Sequence, residues 1–319
     1  MKFFFLVALL IHTVFANESL NSIYENILLK NSKNSVQTLQ TLQMQIEQNK
    51  FDTAKEEFKK LVLEWKSIET IYVLGELEDA FLDMPRYIDI FHQGNENIQT
   101  QLDLILVSKE DLRESLYKNS HKTINALEYI LFTKDLKNER AKEMAQRIAK
   151  KIEENLGEIS KGYLKSKTLF VNNEQKANSI LLNALIESAY KLKEWRVGDT
   201  AGLSRKFKES ADNQRGEYFI SKSSTLAIEA ILKTHLALLE KQEYKNFGTL
   251  INSYGAKKEL EESLGYIKSS LAYLKEIKND DFSNAKDLYN SLKKLHNSYY
   301  ITLITKLKIK SKILDADGD

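Results

Sequence analysis

A single proline and eleven glycines in 319 residues leave this chain few places to turn. These two residue types end helices and supply tight turns, and antiparallel sheets draw on them at nearly every hairpin. The Asn-Gly dipeptide of short hairpins is absent. With Lys, Glu, Leu and Ala abundant, the chain is expected to be all-α, built from long helices.

The apolar pattern agrees. Leu39, Leu42 and Ile46, then Phe51, Phe58, Leu61 and Trp65, follow the i, i+3, i+4, i+7 rule of an amphipathic helix. Further helical stretches are expected at 98–107, 109–132, 137–164 and 174–194. Between them, "DMPRYIDIFHQGNENI" holds the only proline and Gly94, so an irregular excursion is expected there, with a helix starting near Asn97. Other breaks are expected at "RVGDTAGL" and around Gly248 to Gly255.

The first residues, "MKFFFLVALLIHTVFA", carry one positive charge, an apolar core and a Val14-Phe15-Ala16 end suited to signal peptidase. Residues 1–16 are therefore expected to be a secretory leader and the mature protein periplasmic. A membrane anchor needs about 20 apolar residues, and Asn17-Glu18 interrupt the run. The chain has no cysteine, so export brings no disulfide framework and stability must come from packing. Loss of the leader removes only Lys2 from 47 basic residues, leaving 46 against 45 acidic ones, a net charge of +1. That balance does not argue for nucleic acid or an anionic membrane surface as partner, and no nucleic-acid partner is expected.

An echo between "FDTAKEEF" (51–58) and "FSNAKDLY" (282–289) raises the question of a duplicated helical bundle. The expected division is 17–168 and 169–319, the two bundles forming one unit.

Several polar side chains sit where a helix should be apolar. In "TINALEYILF", Glu128 has Ile124 and Asn125 one turn before it and Leu131 and Phe132 one turn after. A carboxylate in such company must find partners or accept a raised pKa. It is either a structural residue satisfied by backbone amides or a lysine, or a ligand-binding one. In "LEWKSIETIYVLG", Trp65, Glu69 and Tyr72 share a face, so Glu69 either hydrogen-bonds a ring in the core or joins a site. Arg86 and Asp89, three apart in "PRYID", form a local ion pair or line a polar pocket.

The order of "LEWKSIETIYVLG", "PRYIDIFHQGNENI", "TINALEYILF" and "WRVGDTAGLSRKFKESADNQRGEYFISKSSTLAIEAIL" resembles the imelysin-like family of secreted bacterial helical proteins, over roughly residues 30–310. The resemblance implies a two-lobed helical fold with a site between the lobes. Some members are called peptidases and carry Gly-x-His-x-x-Glu on the helix quoted above, while relatives in periplasmic iron uptake use the His and Glu for metal. Here the glycine position is Thr123, the histidine position is Asn125, and only Glu128 keeps its identity.

Asparagine is a poor zinc ligand, and there is no His-Glu-x-x-His. His121, four residues before Asn125, reaches the same face if the helix starts early enough, and His92 in the irregular segment could reach a cleft. His235 and His296 read as structural, and the acidic tail "DADGD" as solvated. The expected function is a periplasmic binding protein in metal or iron acquisition without strong peptidase activity. Its expected ligand is iron or another divalent cation, and its expected partners are metal-uptake components of the envelope. Glu128, Asn125, Glu69, Asp89, Arg86 and Trp65 are expected to shape the site, with Glu128 and His121 as metal ligands. The alternatives are a secreted metallopeptidase and a metal-free module that binds a peptide or envelope partner.

Overall fold

The structure, a computed structural model, describes residues 17–94 and 96–310. The leader (1–16) and the "DADGD" tail lie outside the described residues. Among the described residues there is no strand, so the expectation of an all-α fold holds.

Helix α1 covers 17–47, with a π-helical turn at Tyr24–Leu29 leading into Lys30–Glu47. Helix α2 is Phe51–Thr70, and its stripe of Phe58, Leu61, Val62 and Trp65 is fully buried. Each such side chain contributes about 1.5–3 kcal/mol on burial, so this stripe holds the helix in place more firmly than propensity does. Helix α3 (Ile98–Val107) starts where expected, because the Asn97 side chain accepts a hydrogen bond from Thr100 N at 3.0 Å.

The single helix expected over 109–132 is broken. A short helix at Leu112–Ser115 and a 3₁₀ turn at Ser120–Lys122 precede α4, Ile124–Thr133. Thr123 is extended and caps α4 with its hydroxyl, a restart that the apolar period alone does not show. Helix α5 spans Glu139–Val171 and packs against α1 and α4. Position 168 falls near its C-terminal end.

Helix α6, Glu174–Lys191, runs through the break expected at "RVGDTAGL". It continues as a π-helical turn, Leu192–Gly198, and then Asp199–Ala201. It stops at Gly202, where φ is +66° and a Cβ would meet Ala211 N at 2.6 Å. Gly198, by contrast, is helical and ends nothing.

The remaining long helices are α7 (Ser224–Leu239), α8 (Lys257–Leu274) and α9 (Lys286–Asn297). Helix α2 packs against α1 and also against α7, while α8 pairs with α9 and α6 lies on α9. Because α2 is shared between early and late helices, its polar residues face groups brought from both halves of the sequence.

Candidate functional site

Three segments meet α2. The helix supplies Trp65, Lys66 and Glu69, and the irregular segment after Pro85 supplies Asp89. The π-helical turn supplies Arg196, and the loop before α7 supplies Glu217, Tyr218 and Ser221.

Lys66 is fully buried. Its Nζ donates to Asp89 Oδ2 and Glu69 Oε2, each at 2.7 Å, and to Glu217 Oε1 at 2.5 Å. An ammonium has three donors, and all three are matched. Arg196 closes the other side, with Nε to Glu217 Oε2 at 2.6 Å and Nη2 to Glu69 Oε2 at 2.9 Å. Asp89 Oδ2 also accepts from Trp65 Nε1 at 2.9 Å and Tyr218 OH at 2.8 Å, and its Oδ1 accepts from Phe91 N at 2.9 Å. Burial alone would raise the Asp89 carboxyl, but Lys66 and these donors hold it well below the usual carboxylate range. Burial likewise works against the charge on Lys66, and Asp89, Glu217 and Glu69 more than offset it, keeping the ammonium protonated.

The Asp89 segment is held by α4. Ile124 N donates to Ile88 O at 2.8 Å, and Ile90 N donates to Asn125 Oδ1 at 2.9 Å. Asn125 therefore serves as a support for the backbone beside Asp89.

Glu128 lies one turn further along α4 and is 4% exposed. Its Oε1 accepts from Ser221 N at 2.9 Å and from Ser221 Oγ at 2.7 Å. Burial raises its pKa to about 7, with Glu217 and Asp89 adding to the rise and the two Ser221 bonds opposing it. The loop that supplies Ser221 is strained, since Tyr218 and Lys222 both have positive φ, +59° and +54°.

The other expected site residues fall elsewhere. Arg86 is exposed and pairs with Asp83 at 3.4 Å, so the expected Arg86–Asp89 pair does not form. Arg86 lies exposed in the 3₁₀ turn Met84–Tyr87, whereas Asp89 follows the turn and is buried. The ring contacts expected for Glu69 are also absent: Trp65 donates to Asp89, and Tyr72 OH donates to Phe81 O at 2.8 Å. His121 is buried against Gln101 Oε1 at 2.7 Å, because the early helix start that would have put it on the Glu128 face is replaced by the 3₁₀ turn and the Thr123 cap. His92 stacks on Trp195 with centroids 4.7 Å apart and faces Asp199 Oδ2 at 3.2 Å. His235 is internal as expected, between Tyr299 OH and Ser188 Oγ, and burial pushes it down to about 3.

Among the described residues, the side chains placed to share a metal ion are Glu69, Asp89 and Glu217, with ligand atoms within 4.8 Å of one another. Neither Glu128 nor His121 belongs to that group. Three hard oxygen donors suit a cation such as Ca²⁺ or Mn²⁺, but Lys66 Nζ already takes the bonds such an ion would make. As they stand, these residues do not fit an added ion.

Sequence reasoning missed Lys66, Arg196, Glu217, Tyr218 and Ser221. Lys66 left a trace, a lysine beside a tryptophan on an otherwise apolar face with an acid three residues on. Arg196 and Glu217 left none, because nothing in their spacing shows that they meet.

No curated protein matches the chain significantly in sequence. Two solved structures share its fold. An imelysin-like protein from Psychrobacter arcticum 273-4 is 14% identical, with a TM-score of 0.77 over 94% of this chain and 98% of that one. A putative iron-regulated protein A precursor from Parabacteroides distasonis ATCC 8503 is 9% identical, with a TM-score of 0.69 over 92% and 95%. The imelysin family model matches residues 22–299, most of the length of the sequence, and the chain belongs to the imelysin family.

Proposed function

We propose that this chain is a periplasmic binding protein for metal or iron acquisition, with little or no peptidase activity, and that Glu128 is the carboxylate that meets the cargo. One observation carries this reading. The cluster gathers four buried or half-buried carboxylates, Glu69, Asp89, Glu217 and Glu128, around two cations, Lys66 and Arg196. Lys66 and Arg196 are spent on the first three. Glu128 is left with the hydroxyl and amide of Ser221 on one oxygen and no basic side chain bonded to it. A buried carboxylate in that state takes up a proton or a cation.

Family membership and the name of the iron-regulated relative support the acquisition role. No described helix is long and apolar enough to cross a membrane, and the leader-like sequence of residues 1–16 supports export. Envelope components of a metal-uptake system are the proposed partners. Against strong hydrolysis stands the residue set: a zinc peptidase needs imidazole ligands around an open position, Asn125 stands at the histidine position, and its amide oxygen is engaged by Ile90.

Anaerobic calorimetric titration with Fe²⁺ at several pH values tests the reading. Wild-type protein should bind iron, more weakly as pH falls below about 7 because the proton competes for Glu128, and Glu128→Gln should bind much less. Equal binding by the two proteins, or none by either, would remove Glu128 from the function. Metal-dependent cleavage of a protein substrate by the wild type would favour the peptidase alternative.

A further inference from the structure

The carboxylates of Glu69, Asp89 and Glu217 converge as a metal cage would, with ligand atoms within 4.8 Å of one another. They come from α2, from the segment after Pro85 and from the loop before α7, so no local hairpin or helix explains their meeting. At the place where their charges are balanced sits Lys66 Nζ, 2.5–2.7 Å from an oxygen of each. The lysine side chain is fully buried, and the rings of Tyr218 and Trp65 lie 5.3 and 5.9 Å from its charge. Arg196 binds Glu69 and Glu217 from outside and adds a positive charge that an incoming ion would meet.

We propose that Lys66 is the resident cation of this cage, so the three-carboxylate site is filled by the chain itself, is independent of metal, and leaves metal cargo to Glu128 alone. The last part rests on the function proposed above; the first does not. A free ion dissociates, whereas an ammonium on α2 cannot leave without carrying its charge through a buried region. A divalent cation entering the cage would have to unseat Lys66 against that cost and against the repulsion of Arg196.

The test uses the full chain with Glu128→Gln as parent, which removes the cargo carboxylate, and Ca²⁺ or Mn²⁺ alone as probe. The parent should show no calorimetric binding that depends on Glu217, and its melting temperature should be unmoved by either metal or by EDTA. Adding Lys66→Ala should lower the melting temperature by roughly 5–10 °C. It should also create one binding site, with affinity at least about tenfold above the parent. Metal should restore part of the lost stability, and a further Glu217→Gln should abolish the gain.

If the Lys66→Ala protein folds and gains no site, or if the parent already binds metal through Glu217, the proposal is overturned. Should Lys66→Ala fail to fold, the ammonium nitrogen resonance of Lys66 in the unsubstituted protein decides. It should persist unshifted in millimolar Ca²⁺, and its loss or displacement would overturn the assignment. Failure of wild-type protein to bind iron would break the function proposed above, and with it the cargo role of Glu128, and leave the lysine-filled cage standing.

Discussion

Asp89 and Glu128 are 3% and 4% exposed and belong to the same cluster, yet their carboxyls are shifted in opposite directions. Asp89 touches Lys66, Trp65, Tyr218 and the Phe91 amide, and its carboxyl is held far below the ordinary range. Glu128 accepts its hydrogen bonds from Ser221 and is pushed up to about 7. Burial acts on both. What separates them is first the Lys66 ammonium on α2 and then the Phe91 amide and Tyr218 hydroxyl beside it, and the comparison shows that depth alone does not decide how a buried carboxylate behaves.

The most damaging way to break this contrast is to remove the ammonium. Lys66→Met keeps the length of the stem and leaves Arg196 as the cation bonded to Glu69 and Glu217, with the Lys66 bond to Asp89 lost. Breaking a buried ion network from one side costs about 3–5 kcal/mol, and urea unfolding at neutral pH should show a loss of that order. A loss below about 1 kcal/mol would mean that the cage is not held by charge.

Next in size is the pH dependence of Glu128→Gln. The folded-state pKa of Glu128 is raised from 4.5 to about 7, so between those values the folded protein binds a proton that the unfolded chain has released. Stability from this group is therefore full below about pH 4.5 and falls as pH rises through about 7, by about 3 kcal/mol at most. Glutamine keeps the neutral form at every pH. Glu128→Gln should match wild type near pH 5 and be the more stable protein at pH 8, as read by urea titrations at the two values. For Asp89, whose pKa is depressed, the sign is opposite: its contribution is present above about pH 4 and is lost as pH falls.

Asn125→Ala should cost less. It leaves Ile90 N–H without its acceptor in a half-buried place, worth about 1–2 kcal/mol in thermal unfolding. Arg86→Ala, at an exposed pair with Asp83, should change stability by less than about 0.5 kcal/mol. A larger effect there would reinstate Arg86 as part of the cluster.

Much of the fold was legible. The scarcity of proline and glycine and the 3.6-residue apolar period are local properties, and they led to all-helical structure, to the amphipathic stripe of α2 and, with Gly94, to the start of α3. Local signals also misled. The apolar run over 109–132 hides the restart at Thr123, and Gly198 reads as a break although the helix passes through it in a π-helical turn. Of the polar residues marked as conspicuous, Trp65, Glu69, Asp89, Asn125 and Glu128 do gather in or beside one network, because each is polar at a position whose neighbours are buried. Arg86 and His121 do not: Arg86 is exposed in a 3₁₀ turn of the irregular segment, and His121 lies in the 3₁₀ turn before the Thr123 cap rather than on the α4 face that carries Glu128.

By itself, the sequence determined that this chain is helical, which stretches are amphipathic, and that Glu128 occupies an apolar face where it cannot be indifferent to its surroundings. Only the tertiary structure decided its neighbours. Lys66 and Glu217 are 151 residues apart, and Glu69 and Arg196 are 127 apart. Pairing across such separations leaves no periodic trace in a sequence, because it is fixed by how α2 packs against helices from both halves and by which side chain the π-helical turn aims inward. The raised pKa of Glu128 follows from that packing, since its buried carboxyl is given Ser221 as partner while Lys66 is bonded to the three other carboxylates.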